Sequence, residues 1–150
     1  MQSKCTTLLS TRTYHKLVKE HLRVVRACAE KNIPIVVLEF GDWGLTVDVL
    51  KREIDKVPRK ALIIKPHRDG FIATKLDKTL KSFDANSLLL MGVNASYCVL
   101  ETAKSAVRLR YKIITAEKLI ADSLGDYEKE KSKSWYEQNG VFCDHSVELV

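Results

Sequence analysis

Residues 87–116 read SLLLMGVNASYCVLETAKSAVRLRYKIITA. Ser87 to Gly92 is an almost unbroken apolar run, too short for a helix, and it stops at a glycine-led turn. From about Tyr97 to Leu109 the apolar positions recur at helical spacing, and Tyr111–Ala116 is a second apolar run. The order is strand, turn, helix, strand. Neither apolar run alternates in and out, so each strand is covered on both faces. That pattern belongs to parallel sheets joined by right-handed crossovers.

The flanking chain repeats the alternation. Helical periodicity from about Tyr14 to Asn32 brings Leu17, Val18, Val24, Val25 and Cys28 to one side, and Asn32 suits the helix end. "IPIVVLEF", residues 33–40, follows as a buried strand, with Pro34 tolerated near its start. Thr46 is placed to cap a helix running to about Val57, with Leu45, Val49 and Ile54 inward. Then come the strand "ALIIK" (61–65) and a short helix over "KLDKTLKSF" (75–83). A helical tail from about Ser123 to Gln138 leads through Asn139-Gly140 into a last extended piece over 141–149. The expected fold is a three-layer α/β/α domain over residues 1–150 with a mainly parallel central sheet.

At 150 residues and 45% hydrophobic content, the chain is long enough for one real core. The net charge is +6, but 19 carboxylates are interspersed with the 25 lysines and arginines. Local runs such as "KSKSWY" and "VRLRYK" read as solvated faces rather than a binding stripe, which weighs against nucleic acid as a partner. Cys5, Cys28, Cys98 and Cys143 form no CxxC pair. With no signal peptide and no apolar run of membrane-spanning length, a reduced, cytoplasmic protein that needs no membrane is expected.

In parallel sheets ligands gather beyond the carboxyl ends of the strands. Three such ends carry chemistry: Glu39–Trp43, Lys65–Phe71 and Gly92–Cys98. Cys98 falls in the first turn of a helix, where unpaired N–H groups and the positive dipole end favour the nucleophilic thiolate. Buried packing is the competing role, because cysteine is among the most buried residue types. Lys65 interrupts an apolar strand end, where a cation near Cys98 would favour the thiolate further.

Two stretches carry a family resemblance. "LLLMGVNASYCVLETAKSAVRLRYKIIT" resembles the signature of the isochorismatase-like cysteine hydrolases: an apolar strand, a Gly-Val-type turn, Cys-Val, and a Thr-Ala-containing helix leading to a further strand. "IIKPHRDGFIATKLDKTL" is similar to the lysine strand of that family. The resemblance extends from about Leu17 to Ala121. It implies an isochorismatase-like, Rossmann-like α/β fold and a cysteine hydrolase that cleaves a C–N, amide-type bond of a small molecule through a Cys98 thioester. Lys65 matches the lysine that orients and supports the thiolate. Asn94 and Cys98 match the residues whose backbone N–H groups form the oxyanion hole. In the family the peptide corresponding to Val93–Asn94 is cis. Members commonly self-associate, which implies a homo-oligomer.

The resemblance also implies what to look for elsewhere. The family's general base is an aspartate at the end of the first strand, commonly followed by Met-Gln. Here Met1-Gln2 occupies that place, so the base and its strand are expected upstream of Met1. Otherwise Cys5–Ser10 would serve as a substitute first strand in a chain without the base. Nicotinamidase-type members carry a histidine metal set after the second strand, but the corresponding "GDWGLT" has none. His15 and His21 read as surface residues of the first helix, His67 as a loop residue, and His145 lies near the end. No metal and no cofactor is expected. Trp43, Phe71, Tyr97 and Glu39 are the expected substrate-binding residues, with Asp69 and Glu101 as weaker candidates. The alternative function is a binding or scaffold protein of the same fold that kept the cysteine and lost the base. A basic module for anionic partners is a third, remoter reading.

Overall fold

The structure, a computed structural model, describes residues 1–143, with only the backbone described for Cys5 and Thr6. The first turn of helix, α1, spans Ser3–Thr6, so Cys5–Ser10 does not form the substitute strand. Its neighbours Gln2 and Thr46 form an isolated antiparallel bridge instead.

Helix α2, Thr11–Glu30, begins where Ser10 Oγ accepts the Thr13 N–H at 3.2 Å. It ends at Asn32, whose φ of 54° is the left-handed conformation that asparagine tolerates, and the Ile33 N–H returns to Cys28 O at 2.9 Å. The five expected inward residues of α2 are buried. His21 lies among them, 1% exposed, which corrects the expectation of a surface histidine.

Strand β1 is Ile35–Phe40, α3 is Asp48–Ile54 and β2 is Lys60–Lys65. β1 and β2 are parallel, with Ile35 opposite Lys60 and Phe40 opposite Lys65. Helix α3 starts later than expected, because Thr46 is held in its bridge with Gln2 and Val47 takes the cap position without a side-chain bond. Its inward residue is Leu50, while Leu45 and Val49 are exposed. Helix α4 is Leu76–Ser82.

The apolar run after α4 breaks into β3, Ser87–Leu89, and β4, Gly92–Val93. Helix α5 (Cys98–Arg108), β5 (Lys112–Ala116), β6 (Ile120–Ala121), α6 (Asp126–Asn139) and β7 (Val141–Cys143) complete the order. β3 and β7 flank β5, and β4 pairs with β6, all in parallel. The expected final strand continued to residue 149, and its part beyond Cys143, with His145, lies outside the described residues.

The three layers follow from alternation along the strands. Val36, Leu38, Leu88 and Leu90 pack with Leu76 and Leu80 of α4 and Ala106 of α5. Ile35, Leu89 and Met91 pack on the opposite face with Val24 and Cys28 of α2. β1 and β3 therefore share both cores, yet among the described residues no ladder joins them. The β2 strand departs from expectation. Its run suggested two covered faces, but Leu62 and Ile64 are 60% and 67% exposed.

Candidate active site

The backbone around residue 94 shapes the site. Gly92 N donates to Leu119 O at 3.0 Å, and then Ala95, not Asn94, donates to Ala121 O at 3.0 Å. Asn94 is thus bulged out of the β4–β6 ladder, with φ at 67°. The Val93–Asn94 peptide is trans, which corrects the expected cis bond. The left-handed residue makes the reversal, and its carbonyl accepts from Tyr97 N and Val99 N at 3.0 and 3.2 Å. Between these two donors the Cys98 N–H makes no hydrogen bond among the described residues. It remains available at the first position of α5.

The segment after β6 clamps this turn. Asp122, 6% exposed, accepts Ser96 N at 2.9 Å and Ser96 Oγ at 2.6 Å on one oxygen, and Leu124 N at 3.0 Å on the other. Ser123 Oγ donates to Asn94 Oδ1 at 2.6 Å. Tyr136 Oη of α6 donates to Ala95 O at 2.7 Å, and burial holds its phenol well above the usual tyrosine range. The turn ahead of Cys98 therefore rests on buried bonds rather than on loop propensity.

Lys65, 5% exposed, ends β2 under its own loop. Its Nζ donates to His67 O at 3.0 Å and to Arg68 O, and lies 4.9 Å from the centre of the Phe40 ring. A buried cation is costly unless such acceptors replace water. Thr102 joins this loop to α5: its Oγ1 donates to Cys98 O at 2.8 Å and accepts Gly70 N at 2.9 Å. Gly70 packs closely there: an added Cβ would sit 2.7 Å from Leu38 Cδ1, so that side chain would have to shift.

Cys98 and Lys65 line one cavity of about 520 Å³, with Trp43, Tyr97 and Asn94 on its wall. Gln2 enters from the other side, where its side chain accepts the Phe40 N–H at 2.8 Å and donates to Gly44 O, fixing the Trp43 loop. Two expected substrate contacts fall outside this cavity. Phe71 stacks on Tyr111 with ring centres 6.1 Å apart, inside the α4–α5 core. Glu39 alternates to the opposite face of β1, is 5% exposed, and accepts Thr46 N at 2.7 Å. Asp69 likewise faces inward, holding Phe71 N at 2.9 Å and the Ser105 hydroxyl. Glu101 is paired with Lys104 at 3.1 Å. No carboxylate lines the cavity among the described residues.

Residues 1–146 match the model of the isochorismatase domain. The chain belongs to the isochorismatase family. Ureidoacrylate amidohydrolase RutB of Pantoea ananatis is 27% identical over 115 residues, covering 72% of this chain and 45% of RutB. The chain thus spans about half the length of the curated relative it matches. The nicotinamidase SaPncA of Staphylococcus aureus superimposes with a TM-score of 0.77 at 23% identity, covering 87% of this chain and 88% of that one. The MAR1 ribonuclease of Caenorhabditis elegans superimposes with a TM-score of 0.82 at 20% identity, covering 94% of this chain and 70% of that one. These structural likenesses speak for the α/β fold.

Sequence reasoning missed Asp122, Thr102 and Arg68. Asp122 follows a two-residue strand that periodicity does not register. Thr102 stood inside the family-like helix without a chemical reason of its own. Arg68 left a readable signal, since it lies three residues past the strand-end lysine. Among the described residues no three ligating side chains converge as a metal set, and no helix is long and apolar enough to cross a membrane.

Proposed function

We propose that the protein is a cysteine hydrolase of small amides, with Cys98 as nucleophile. The observation that carries this is Cys98 at the head of α5, with its N–H unengaged, on a cavity it shares with buried Lys65. The Cys98 thiolate attacks the amide carbon. The C–N bond breaks with release of ammonia or an amine, and water hydrolyses the thioester. The N–H groups of Cys98 and Asn94 receive the oxyanion, and loss of one such donor typically costs about 10²–10³ in turnover. Lys65 orients the thiolate electrostatically, and Trp43 and Tyr97 wall the substrate. The likeness to RutB, a ureidoacrylate amidohydrolase, supports this reading.

Self-association belongs to the same proposal, carried by the exposed apolar face of β2. One observation favours the alternative, a binding protein on this fold: the absence of a carboxylate from the cavity wall among the described residues. Amine release from a panel of small amides and ureides separates the two. A Cys98→Ala variant is expected to lose about 10³-fold or more of the wild-type rate. Equal rates for variant and wild type would sink the hydrolase reading, and no release by either would favour the binding protein.

A further inference from the structure

Resting on the reading of Cys98 as the nucleophile, we propose that Asp122 is a positioning residue. Through Ser96 it sets the spacing of the Asn94 and Cys98 N–H groups that receive the oxyanion. Neither N–H makes a hydrogen bond among the described residues. They sit at the two ends of a turn between β4, a two-residue strand, and the head of α5. No regular ladder or helix therefore fixes their separation. Ser96 is the midpoint of that turn. One oxygen of Asp122 accepts both of its donors, the N–H at 2.9 Å and the hydroxyl at 2.6 Å, and the other accepts Leu124 N at 3.0 Å.

The contact calls for a carboxylate. An ionised carboxylate only accepts, so both oxygens serve the donors that converge on it. An amide of the same shape has one acceptor oxygen, and its NH2 would face either the Ser96 pair or the Leu124 N–H. Asp122 is buried, and the three donors take the place of water around its charge. Hydrogen bonds to an ionised acceptor are shorter and stronger than neutral ones. The remaining ties reach the turn ahead of its midpoint, with Ser123 Oγ on Asn94 Oδ1 and Tyr136 Oη on Ala95 O. Asp122 holds the half nearer Cys98, and by gripping main chain and side chain together it stops Ser96 from rotating away. Oxyanion donors act only if they are in place before the charge develops. A slack turn would therefore weaken tetrahedral adducts while leaving the sulfur at the head of α5.

Protection of Cys98 by propionaldehyde reads that geometry without requiring turnover. The thiolate adds to the carbonyl carbon, an S–C bond forms, and the C–O π pair moves to oxygen, where the two N–H groups receive it. Iodoacetamide alkylates the same thiolate at a methylene and releases iodide, so it places no charge on those donors. Propionaldehyde is expected to protect the wild type from iodoacetamide. Asp122→Asn should need about tenfold more aldehyde for equal protection, a partial loss of oxyanion stabilisation. Without aldehyde its alkylation rate should stay within about twofold of wild type, because the head of α5 still supports the thiolate. Ser96→Ala keeps the N–H contact and should cost about threefold in protection, the scale of one hydrogen bond. It serves as the test if Asp122→Asn does not fold. Equal protection in wild type and variant overturns the proposal, as does a wild type that the aldehyde fails to protect. A parallel loss of alkylation also overturns it, because that marks a general collapse of the turn.

A second arm follows hydrolysis of the same panel of small amides. The Asp122→Asn loss is expected in kcat, with KM near the wild-type value, since the aligned donors act on the developing oxyanion. If no amide is hydrolysed while aldehyde protection still falls in the variant, the positioning role stands and the hydrolase reading fails. If wild type and variant hydrolyse amides with equal kcat, the positioning role is overturned and the hydrolase reading stands.

Discussion

His21 shows how one side chain links folding to the site. Its ring Nε2–H donates to Leu119 O at 2.8 Å, and the same carbonyl accepts Gly92 N at the start of β4. Burial, the dominant cause, lowers its pKa from 6.5 to about 4, against a smaller upward pull from the Leu119 bond. Between those values the unfolded chain binds a proton that the folded protein refuses. The stability contribution is full above about pH 6.5 and is lost as pH falls toward 4, by about 3 kcal/mol in total. Urea unfolding at pH 7 and pH 4.5 should show that loss, and His21→Gln should flatten it. An equal pH slope in the variant would assign the effect elsewhere. The signal for burial was present in the sequence. Leu17, His21, Val24 and Cys28 share one helical stripe, but composition alone made the histidine look like a surface residue.

Between elements, the strut from the Gly70 loop to the head of α5 has the clearest energetic consequence. Thr102→Val keeps the shape, yet leaves the Gly70 N–H without its acceptor in a buried setting. Such a loss costs about 1–3 kcal/mol. Thermal unfolding should show a lower Tm for Thr102→Val, with Thr102→Ser close to wild type. A valine variant as stable as wild type would remove the strut from the account. Element type was largely legible here, because the apolar runs and helical stripes of α2, α5 and β5 are long and strongly patterned. Boundaries were less so. α3 begins after Thr46 because Gln2 claims that residue from outside the segment. The run at residues 87–92 splits because Leu90 bonds to Ile114 O and Gly92 to Leu119 O, two different stretches of chain.

Across the whole molecule, the unexpected surface is the outer face of β2. Leu45, Leu62 and Ile64 are each at least 60% exposed, and Leu45 and Ile64 line one shallow depression. Contiguous exposed apolar side chains of this kind mark interaction sites. For the proposed self-association, sedimentation of the wild type should show an oligomer that Ile64→Lys disrupts. An unchanged association state would place any interface on another face. The α/β class, the parallel pairing and the candidacy of Cys98 and Lys65 could all be read from residue order, because apolar periodicity and strand-end chemistry are local properties. Long-range pairing settled the rest. It turned Glu39 away from the cavity through strand alternation, and drew Phe71 into a core against Tyr111. It set Asp122 under a turn 26 residues earlier, and laid Arg68 on Tyr97. Each of these depends on which distant backbone donor or ring meets a side chain after packing, and no local spacing in the chain encodes that meeting.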